Sequence, residues 1–162
     1  MGTNNIEEIY VTYSKQIYKY LFCLTRDDSL SEELTQETFF IAMKNINKFK
    51  GNCKLSSWLC QIAKHLYYKE LKKHKNFSTI PLTSIEDYTN NSLEETSISK
   101  LYLYNKIDKL DERSKEIIYL RIMGNLSFKE IGNILGISEN LARVTFYRGK
   151  QKIKEGDFDE KN

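Results

Sequence analysis

The sequence has few of the residues that interrupt helices or build metal and redox sites. It contains one proline and seven glycines in 162 residues, and the two-residue alternation typical of strands is absent. Its three cysteines, Cys23, Cys53 and Cys60, form no CxxC pair and have no zinc-ligand spacing with the two histidines. The sequence therefore predicts an all-α protein with reduced thiols, no metal and no cofactor.

Long apolar runs are also absent. Runs such as Tyr20 to Leu24 are too short to span a membrane, and no secretory signal is visible, so we expect a cytoplasmic protein. No His, Ser or Cys arrangement forms a nucleophilic site, and we predict no catalytic residue, no small-molecule substrate and no enzymatic activity. A metal-dependent nuclease that uses Glu32, Glu33 and Glu37 is the enzymatic alternative.

The net charge of +3 is distributed unevenly along the chain. Residues 1–75 and 101–155 each carry a net +4, whereas residues 76–100 carry −3 and residues 156–162 carry −2. We predict a small helical domain at 1–75, a flexible acidic linker at 76–100, a second small helical domain at 101–155 and an acidic tail at 156–162. Two basic domains favour polyanionic partners.

Apolar residues three and four positions apart predict three long helices in the first domain. The first has its apolar face from Ile6 to Leu24. Ser29, with Glu32 three residues later, predicts the start of the second helix. Ser56 or Ser57 predicts the start of the third. This pattern is typical of a compact helical bundle.

The second domain, where helical periodicity resumes at Lys100, ends in the local signals of a helix-turn-helix. Ser127 and Glu130 have the spacing of a capping box, which starts a helix. Gly132 stands where a second helix must approach closely, and Gly136 supplies a left-handed turn before the next helix. That helix combines a packed back with a basic front, which suits the major groove of duplex DNA, although an ordinary two-helix corner with a solvated face would share this pattern. The residues predicted to contact DNA are Ser138, Arg143, Thr145, Tyr147, Arg148, Lys150 and Lys152.

In the first domain, the segment Glu33-Leu34-Thr35-Gln36-Glu37-Thr38-Phe39 presents Glu33, Gln36 and Glu37 on one helix face. Carboxylates four residues apart repel each other, so this face favours a cationic partner; a metal-binding pair and a solvated face are the alternatives. The segment resembles the Asp/Glu-Leu-Thr-Gln-Glu-Thr-Phe motif of bacterial RNA polymerase sigma factors of the extracytoplasmic-function (ECF) group. Further segments similar to sigma regions 2 and 4 follow in order: Phe49-Lys50-Gly51, Trp58-Leu59, Ile62-Ala63, Leu110-Asp111-Glu112-Arg113, Leu120-Arg121 and Leu126 through Ser138.

The resemblance implies a sigma region 2-like bundle joined to a sigma region 4-like helix-turn-helix. Such a protein binds core RNA polymerase and directs promoter-specific transcription initiation. The first domain would dock on a basic coiled coil of the polymerase and melt the promoter, and the second would recognise the minus-thirty-five element. The residues implied for core polymerase are Glu33, Leu34, Gln36, Glu37 and Phe40. The residues implied for minus-ten DNA, including the single-stranded non-template strand, are Phe49, Lys50, Asn52, Lys64, His65, Tyr68, Lys69 and Lys72.

Two departures from the family pattern concern promoter choice. His65 stands where the family often has Asn, and Val144 and Thr145 stand where the recognition helix usually has Ser and Arg. The family also implies an anti-sigma partner, often membrane-bound, that covers the polymerase-binding faces. The alternative function is a self-sufficient helix-turn-helix regulator that binds duplex DNA without polymerase and has a dimerisation surface or ligand pocket in residues 1–75.

Overall fold

The computed structural model describes residues 5–75 and 95–156, and these ranges contain helices and no strands, which confirms the all-α prediction. The helices are α1 (Ile6–Thr25), α2 (Asp28–Asn45), α3 (Leu55–Lys75), α4 (Glu95–Asp108), α5 (Glu112–Ile122), α6 (Phe128–Leu135) and α7 (Glu139–Glu155). A short 3-10 turn, Ile46–Lys48, follows α2. Within the described ranges, no helix has both the length and the apolar character needed to cross a bilayer.

The predicted linker and tail fall mainly outside the described residues. Residues 76–94 of the linker and 157–162 of the tail are not among them. At the far end of the linker, α4 begins at Glu95, five residues before the predicted resumption of the helix at Lys100. The first turns of α4 are polar and therefore give no apolar periodicity from which a helix could be predicted.

The core of the first bundle is formed by one face of each of its three helices. Tyr20 and Leu21 of α1 and Leu59 and Ala63 of α3 are fully buried, and Phe39 of α2 is nearly so. Each of the three helices packs against the other two. The predicted compact bundle is therefore present, and its outward faces are held in fixed relative positions.

Two predicted helix starts in this bundle are shifted. Asp27, not Ser29, caps α2, because its carboxylate accepts a hydrogen bond of 2.9 Å from the Leu30 backbone N–H. Ser56 and Ser57 lie inside α3, which begins at Leu55. Adjacent Asp and Ser residues compete as caps, and the local sequence does not show which one has the extended backbone that a cap requires.

The helix-turn-helix forms as its local signals predict. The Ser127 hydroxyl accepts the Glu130 N–H at 3.2 Å, and the Glu130 carboxylate accepts the Ser127 N–H at 2.8 Å. Gly136 has a φ of 68° and ends α6 in the left-handed conformation. The Ser138 hydroxyl then accepts the Leu141 N–H at 3.0 Å and starts α7.

Gly132 is required by the close packing of this turn. A Cβ atom at this position would lie 2.7 Å from the Ile137 carbonyl oxygen and 3.3 Å from the Glu139 backbone nitrogen. Both contacts are with backbone, which cannot move aside as a side chain can. The glycine thus sets how closely the start of α7 approaches α6.

We therefore expect Gly132→Ala to lower the free energy of unfolding of the second bundle by about 1–3 kcal/mol, the usual cost of overpacking. Urea denaturation followed by circular dichroism measures the change. Asn133→Ala alters the neighbouring, exposed residue of α6 and serves as the control. Equal denaturation midpoints for the two variants would contradict this account of Gly132.

The two bundles pack against each other, with α5 against α1 and α6 against α3. Arg26, at the end of α1, donates a hydrogen bond of 2.6 Å to the Tyr119 hydroxyl and pairs with Asp108 at 3.1 Å. The Gln16 side-chain amide donates to the Gly124 carbonyl. These contacts are polar, and α5 also comes close to the predicted minus-ten helix, α3.

Candidate polymerase and nucleic-acid interfaces

The residues predicted to bind polymerase lie on the outer face of α2. Glu33, Gln36, Glu37 and Phe40 are all exposed, and Phe40 keeps 51% of its surface accessible. The ion pairs found within residues 5–75 and 95–156 do not include Glu33 or Glu37. Both carboxylates are therefore available to a cationic partner.

The burial of Leu34 differs from the prediction that this residue contacts core polymerase. It is only 3% exposed and belongs to the core of the first bundle. On an α-helix, residues 34 and 36 lie about 200° apart, so they cannot share one narrow face. Leu34 therefore supports the outer face from below and does not contribute contact surface to it.

An apolar groove runs beside this face, between α1 and α2. It has a volume of about 520 Å³ and its surface is almost wholly apolar. We call it the α1–α2 groove, and it is lined by Ile6, Glu7, Tyr10, Val11, Gln36, Phe39, Phe40 and Met43. The groove adds an apolar contact area to the acidic face of α2.

Sequence reasoning missed three exposed residues of this groove. Tyr10, Val11 and Met43 are 44%, 78% and 46% exposed, whereas the apolar periodicity of the sequence places Tyr10 and Met43 on inward faces. The available signal was the pairs of adjacent apolar residues, Tyr10-Val11 and Ala42-Met43. Neighbours on a helix point about 100° apart, so at least one member of each pair tends to face outward.

The predicted minus-ten residues of α3 form two neighbouring stripes. His65, Lys69 and Lys72, spaced by four and three residues, form one stripe and are exposed. Lys64 and Tyr68 form the other stripe, which faces α5. Tyr68 is 39% exposed and Tyr67 is more covered, so the two adjacent tyrosines do not both face inward.

The stripe that faces α5 is bound to one carboxylate. The Lys64 ammonium lies 3.1 Å from Oε1 of Glu116, and the Tyr68 hydroxyl donates to the same oxygen at 3.2 Å. Burial, followed by the Glu116 charge, raises the pKa of Tyr68 to about 12, so its hydroxyl stays protonated and remains a donor at neutral pH. One of the two predicted minus-ten stripes is therefore engaged inside the protein.

The loop before α3 holds the remaining predicted minus-ten residues. Phe49 is half-buried, with its ring centroid 5.1 Å from that of Trp58. Lys50 and Asn52 are exposed on either side of Gly51, which has a φ of 73°. The loop presents a cation and an amide beside the start of α3, with Phe49 as a partly covered anchor.

The predicted recognition helix, α7, has its packed residues and most of its predicted DNA-contact residues on different faces. Ala142, Phe146 and Gly149, spaced by four and three residues, are buried against the second bundle. Thr145 is half-buried, and Ser138, although exposed, is occupied as the cap. The other predicted contact residues are exposed on the remaining surface of α7: Arg143, Tyr147, Arg148, Lys150 and Lys152.

Arg143 is held in place at the start of this surface. Its guanidinium is 2.8 Å from the Glu139 carboxylate and 5.5 Å from the ring centroid of Phe128. Arg121 lies 4.5 Å from the same Phe128 ring. A guanidinium that is already oriented loses less side-chain entropy when it binds a base edge or a phosphate.

The three cysteines differ in burial. The described residues contain no group of three His, Cys, Asp or Glu side chains that could hold a metal ion. All three thiols are free, and burial raises the pKa of Cys23 to about 11 and that of Cys60 to about 12. Only Cys53 is partly accessible.

Iodoacetamide is accordingly expected to alkylate Cys53 well before Cys23 or Cys60. At pH 8 the two buried thiols are almost wholly protonated, and the thiolate is the reactive form. Peptide mass spectrometry of a labelling time course gives the order. Denaturation in urea should make the three rates similar, and early labelling of Cys60 in the folded protein would contradict the burial described above.

Comparison with known proteins agrees with the geometry. Residues 9–77 match the family described as Sigma-70 region 2, and residues 100–153 match Sigma-70, region 4. The chain is 30% identical over 152 residues to the ECF RNA polymerase sigma factor SigM of Bacillus subtilis (strain 168), covering 92% of this chain and 93% of the relative. The sigma factor YlaC of the same organism is 25% identical, with 94% and 91% covered.

Solved structures show the same fold. The sigma factor RpoE of Bartonella quintana, solved in complex with the anti-sigma factor NepR, superposes with a TM-score of 0.71 at 15% sequence identity. The superposition covers 94% of this chain and 96% of that one. The two sigma regions, in order along one chain, and a relative matched over nearly its whole length establish that the chain belongs to the ECF group of RNA polymerase sigma factors, which bind core polymerase and direct promoter-specific transcription initiation.

Proposed function

We propose that this sigma factor has three separate binding surfaces, one for core polymerase and one for each promoter element. The outer face of α2 and the α1–α2 groove bind core polymerase. The loop after α2 and the exposed face of α3 hold the minus-ten DNA, and the exposed face of α7 reads the minus-thirty-five element. In this scheme the two binding domains are residues 1–75 and 101–155, and residues 76–100 form the linker between them.

The observation that carries the proposal is the mixed aromatic and basic surface of α3. Tyr68 lies beside His65, Lys69 and Lys72, and all four side chains keep accessible surface. Stacking on an aromatic ring is worth about 1–3 kcal/mol per base, and cations beside the ring hold the backbone of a single strand. A regulator that binds only duplex DNA does not require a surface for single-stranded DNA beside a face that binds polymerase.

In vitro transcription tests this function. Purified bacterial core polymerase is supplied with the DNA upstream of this protein's own coding sequence, with and without the chain. We expect transcripts from a discrete start site only when the chain is present. A footprint on duplex DNA by the chain alone, without stimulation of polymerase, would instead favour the self-sufficient regulator.

The recognition helix gives a second test. Arg148→Ala should weaken binding to the minus-thirty-five element more than Lys152→Ala, because an arginine can contact guanine through two hydrogen bonds whereas Lys152, near the end of α7, is placed to hold the backbone. We expect about tenfold for Arg148, equal to about 1.4 kcal/mol. Titration of holoenzyme onto a labelled promoter measures both, and the reverse order would reject this placement of the reading face.

The chain is also proposed to have an anti-sigma partner and to act in the cytoplasm without catalysing a reaction. The RpoE structure shows a protein of the same fold bound to an anti-sigma factor. The α1–α2 groove is apolar enough to take an amphipathic segment of such a partner. Binding there would exclude core polymerase from the same surface.

A further inference from the structure

One cation on the exposed face of α7 is paired with a carboxylate of the same helix. The Arg143 guanidinium donates to the Glu139 carboxylate at 2.8 Å, and the two side chains are 45% and 49% exposed. The ion pairs within residues 5–75 and 95–156 include none of the other cations predicted to contact DNA from this face, which are Arg148, Lys150 and Lys152. These cations and Arg143 therefore differ in the charge that they present to DNA.

The pair lies at the start of the predicted recognition helix. Glu139 is the first residue of α7, directly after the cap Ser138, and Arg143 follows one turn later. The Arg143 guanidinium also lies 5.5 Å from the ring centroid of Phe128, which is only 8% exposed. Residues in the first turns of a recognition helix are those that contact base edges. A carboxylate and a buried ring thus hold Arg143 at the end of the helix that is suited to base recognition.

A guanidinium paired in this way keeps most of its hydrogen-bond donors but loses much of its attraction for phosphate. Arginine has five N–H donors, and the contact with Glu139 is made through Nη2 of Arg143. Phosphate is bound mainly through charge, which is cancelled within the pair, and the carboxylate also repels an approaching phosphate. Guanine O6 and N7 are recognised through the directions of two donors, and the pair leaves such donors available.

We propose that Glu139 determines promoter specificity by confining Arg143 to a base edge, with guanine as the base that its remaining donors fit. The proposal rests on the proposed minus-thirty-five surface of α7. Glu139 is a positioning residue in this scheme, because it sets the direction and the net charge of Arg143 without a DNA contact of its own. Lys150 and Lys152 supply the attraction for the backbone that does not depend on sequence.

Binding of holoenzyme to two labelled templates tests the proposal. One template is the DNA upstream of this protein's own coding sequence, and the other is the same DNA with its minus-thirty-five element scrambled. The ratio of the two affinities measures discrimination. The slope of log affinity against log salt concentration, over about 50 to 200 mM, measures the number of phosphate contacts. A substitution that only loosened the fold would lower both affinities and would not steepen this slope.

Glu139→Gln removes the charge and keeps the shape of the side chain. Holoenzyme with this variant is expected to bind the scrambled template about fivefold more tightly, the gain from one added phosphate contact at about 0.15 M salt. The reason is that Arg143 regains its full charge and can bind a phosphate. The salt slope should steepen by about 0.9. The ratio of the two affinities should fall by about fivefold, because the gain on the scrambled template requires no correct base.

Glu155→Gln is the matched control. It removes the same charge from the same helix, but Glu155 is the last residue of α7 and accepts a hydrogen bond from the Gln151 amide instead of pairing with a cation. It should keep the ratio within about twofold of wild type and leave the slope unchanged. In an Arg143→Ala background, Glu139→Gln should have no further effect, because the carboxylate acts through Arg143.

An unchanged ratio and an unchanged slope in Glu139→Gln would overturn the proposal. So would an equal change in Glu155→Gln, which would indicate a general effect of net charge, or a change that persists in the Arg143→Ala background. The same assay keeps this failure separate from failure of the minus-thirty-five surface. If Arg143→Ala and Arg148→Ala both leave the ratio intact, the proposed surface is wrong; if they lower it while Glu139→Gln changes nothing, only the role of Glu139 is wrong.

Discussion

The double variant Glu37→Lys/Phe40→Ala is expected to lose at least about a hundredfold in affinity for core polymerase and to give no detectable transcript. An exposed aromatic at the centre of an interface typically contributes about 2 kcal/mol or more, and Phe40 is 51% exposed beside the apolar α1–α2 groove. A lysine at position 37 would also place a cation against a basic partner, which adds a repulsion of several kcal/mol. Anisotropy of the labelled chain titrated with core polymerase measures the loss.

Glu8→Lys is the control for this variant. Glu8 is an exposed acidic residue of α1 that does not line the groove, so the charge reversal is the same but the surface differs. Its affinity should stay within about twofold of wild type, as for most surface substitutions away from an interface. Equal losses for the two variants would mean that net charge, and not the α2 face, governs binding to polymerase.

Tyr68 gives the second large effect, and two substitutions separate its two roles. Tyr68→Ala removes the ring and should reduce promoter opening by about 5- to 150-fold, which corresponds to the loss of one stacked base at about 1–3 kcal/mol. Tyr68→Phe keeps the ring and removes only the hydroxyl that donates to Glu116. Holoenzyme with Tyr68→Phe should therefore open promoters as well as wild type does. Permanganate reactivity of unpaired thymines in the minus-ten region measures opening.

Two controls test whether the effect of Tyr68→Ala is specific to promoter opening. Tyr102→Ala removes an exposed tyrosine of α4 that also has a lysine over its ring, 4.6 Å from Lys106, but lies outside the proposed DNA surfaces; it should open promoters normally. A template mismatched across the minus-ten region removes the cost of unpairing and should restore most of the activity of Tyr68→Ala. If the defect persists unchanged on that template, Tyr68 acts at another step.

The features that could be predicted from the sequence are those decided by local chemistry. The Ser127–Glu130 capping box and the left-handed Gly136 involve residues within a few positions of each other, and the structure places both as predicted. The family resemblance rests on such local segments, and both sigma regions are matched in the order that it implies. The exposed positions Glu33, Gln36 and Glu37 of α2 and the basic face of α7 also follow from helical periodicity.

The remaining features depend on contacts between distant segments. Leu34 lies in the recognisable polymerase-binding motif, yet the packing of the first bundle buries it. Lys64 and Glu116 are 52 positions apart, and no local pattern could pair them. Cross-bundle contacts are selected by shape and charge over the whole surface, and a single sequence does not show which of many possible surfaces meet.

The separation of roles along α7 has a consequence for promoter engineering. Ala142, Phe146 and Gly149 anchor the helix, and a Cβ on Gly149 would already lie 3.0 Å from the Ile118 side chain, so this side tolerates little change. The opposite side is less constrained, because Tyr147, Arg148 and Gln151 are exposed and Val144 is half-buried. Randomising positions 144, 147, 148 and 151 while keeping Ala142, Phe146 and Gly149 should yield folded variants with new promoter preferences. Such variants would direct the same polymerase to different sets of promoters within one cell.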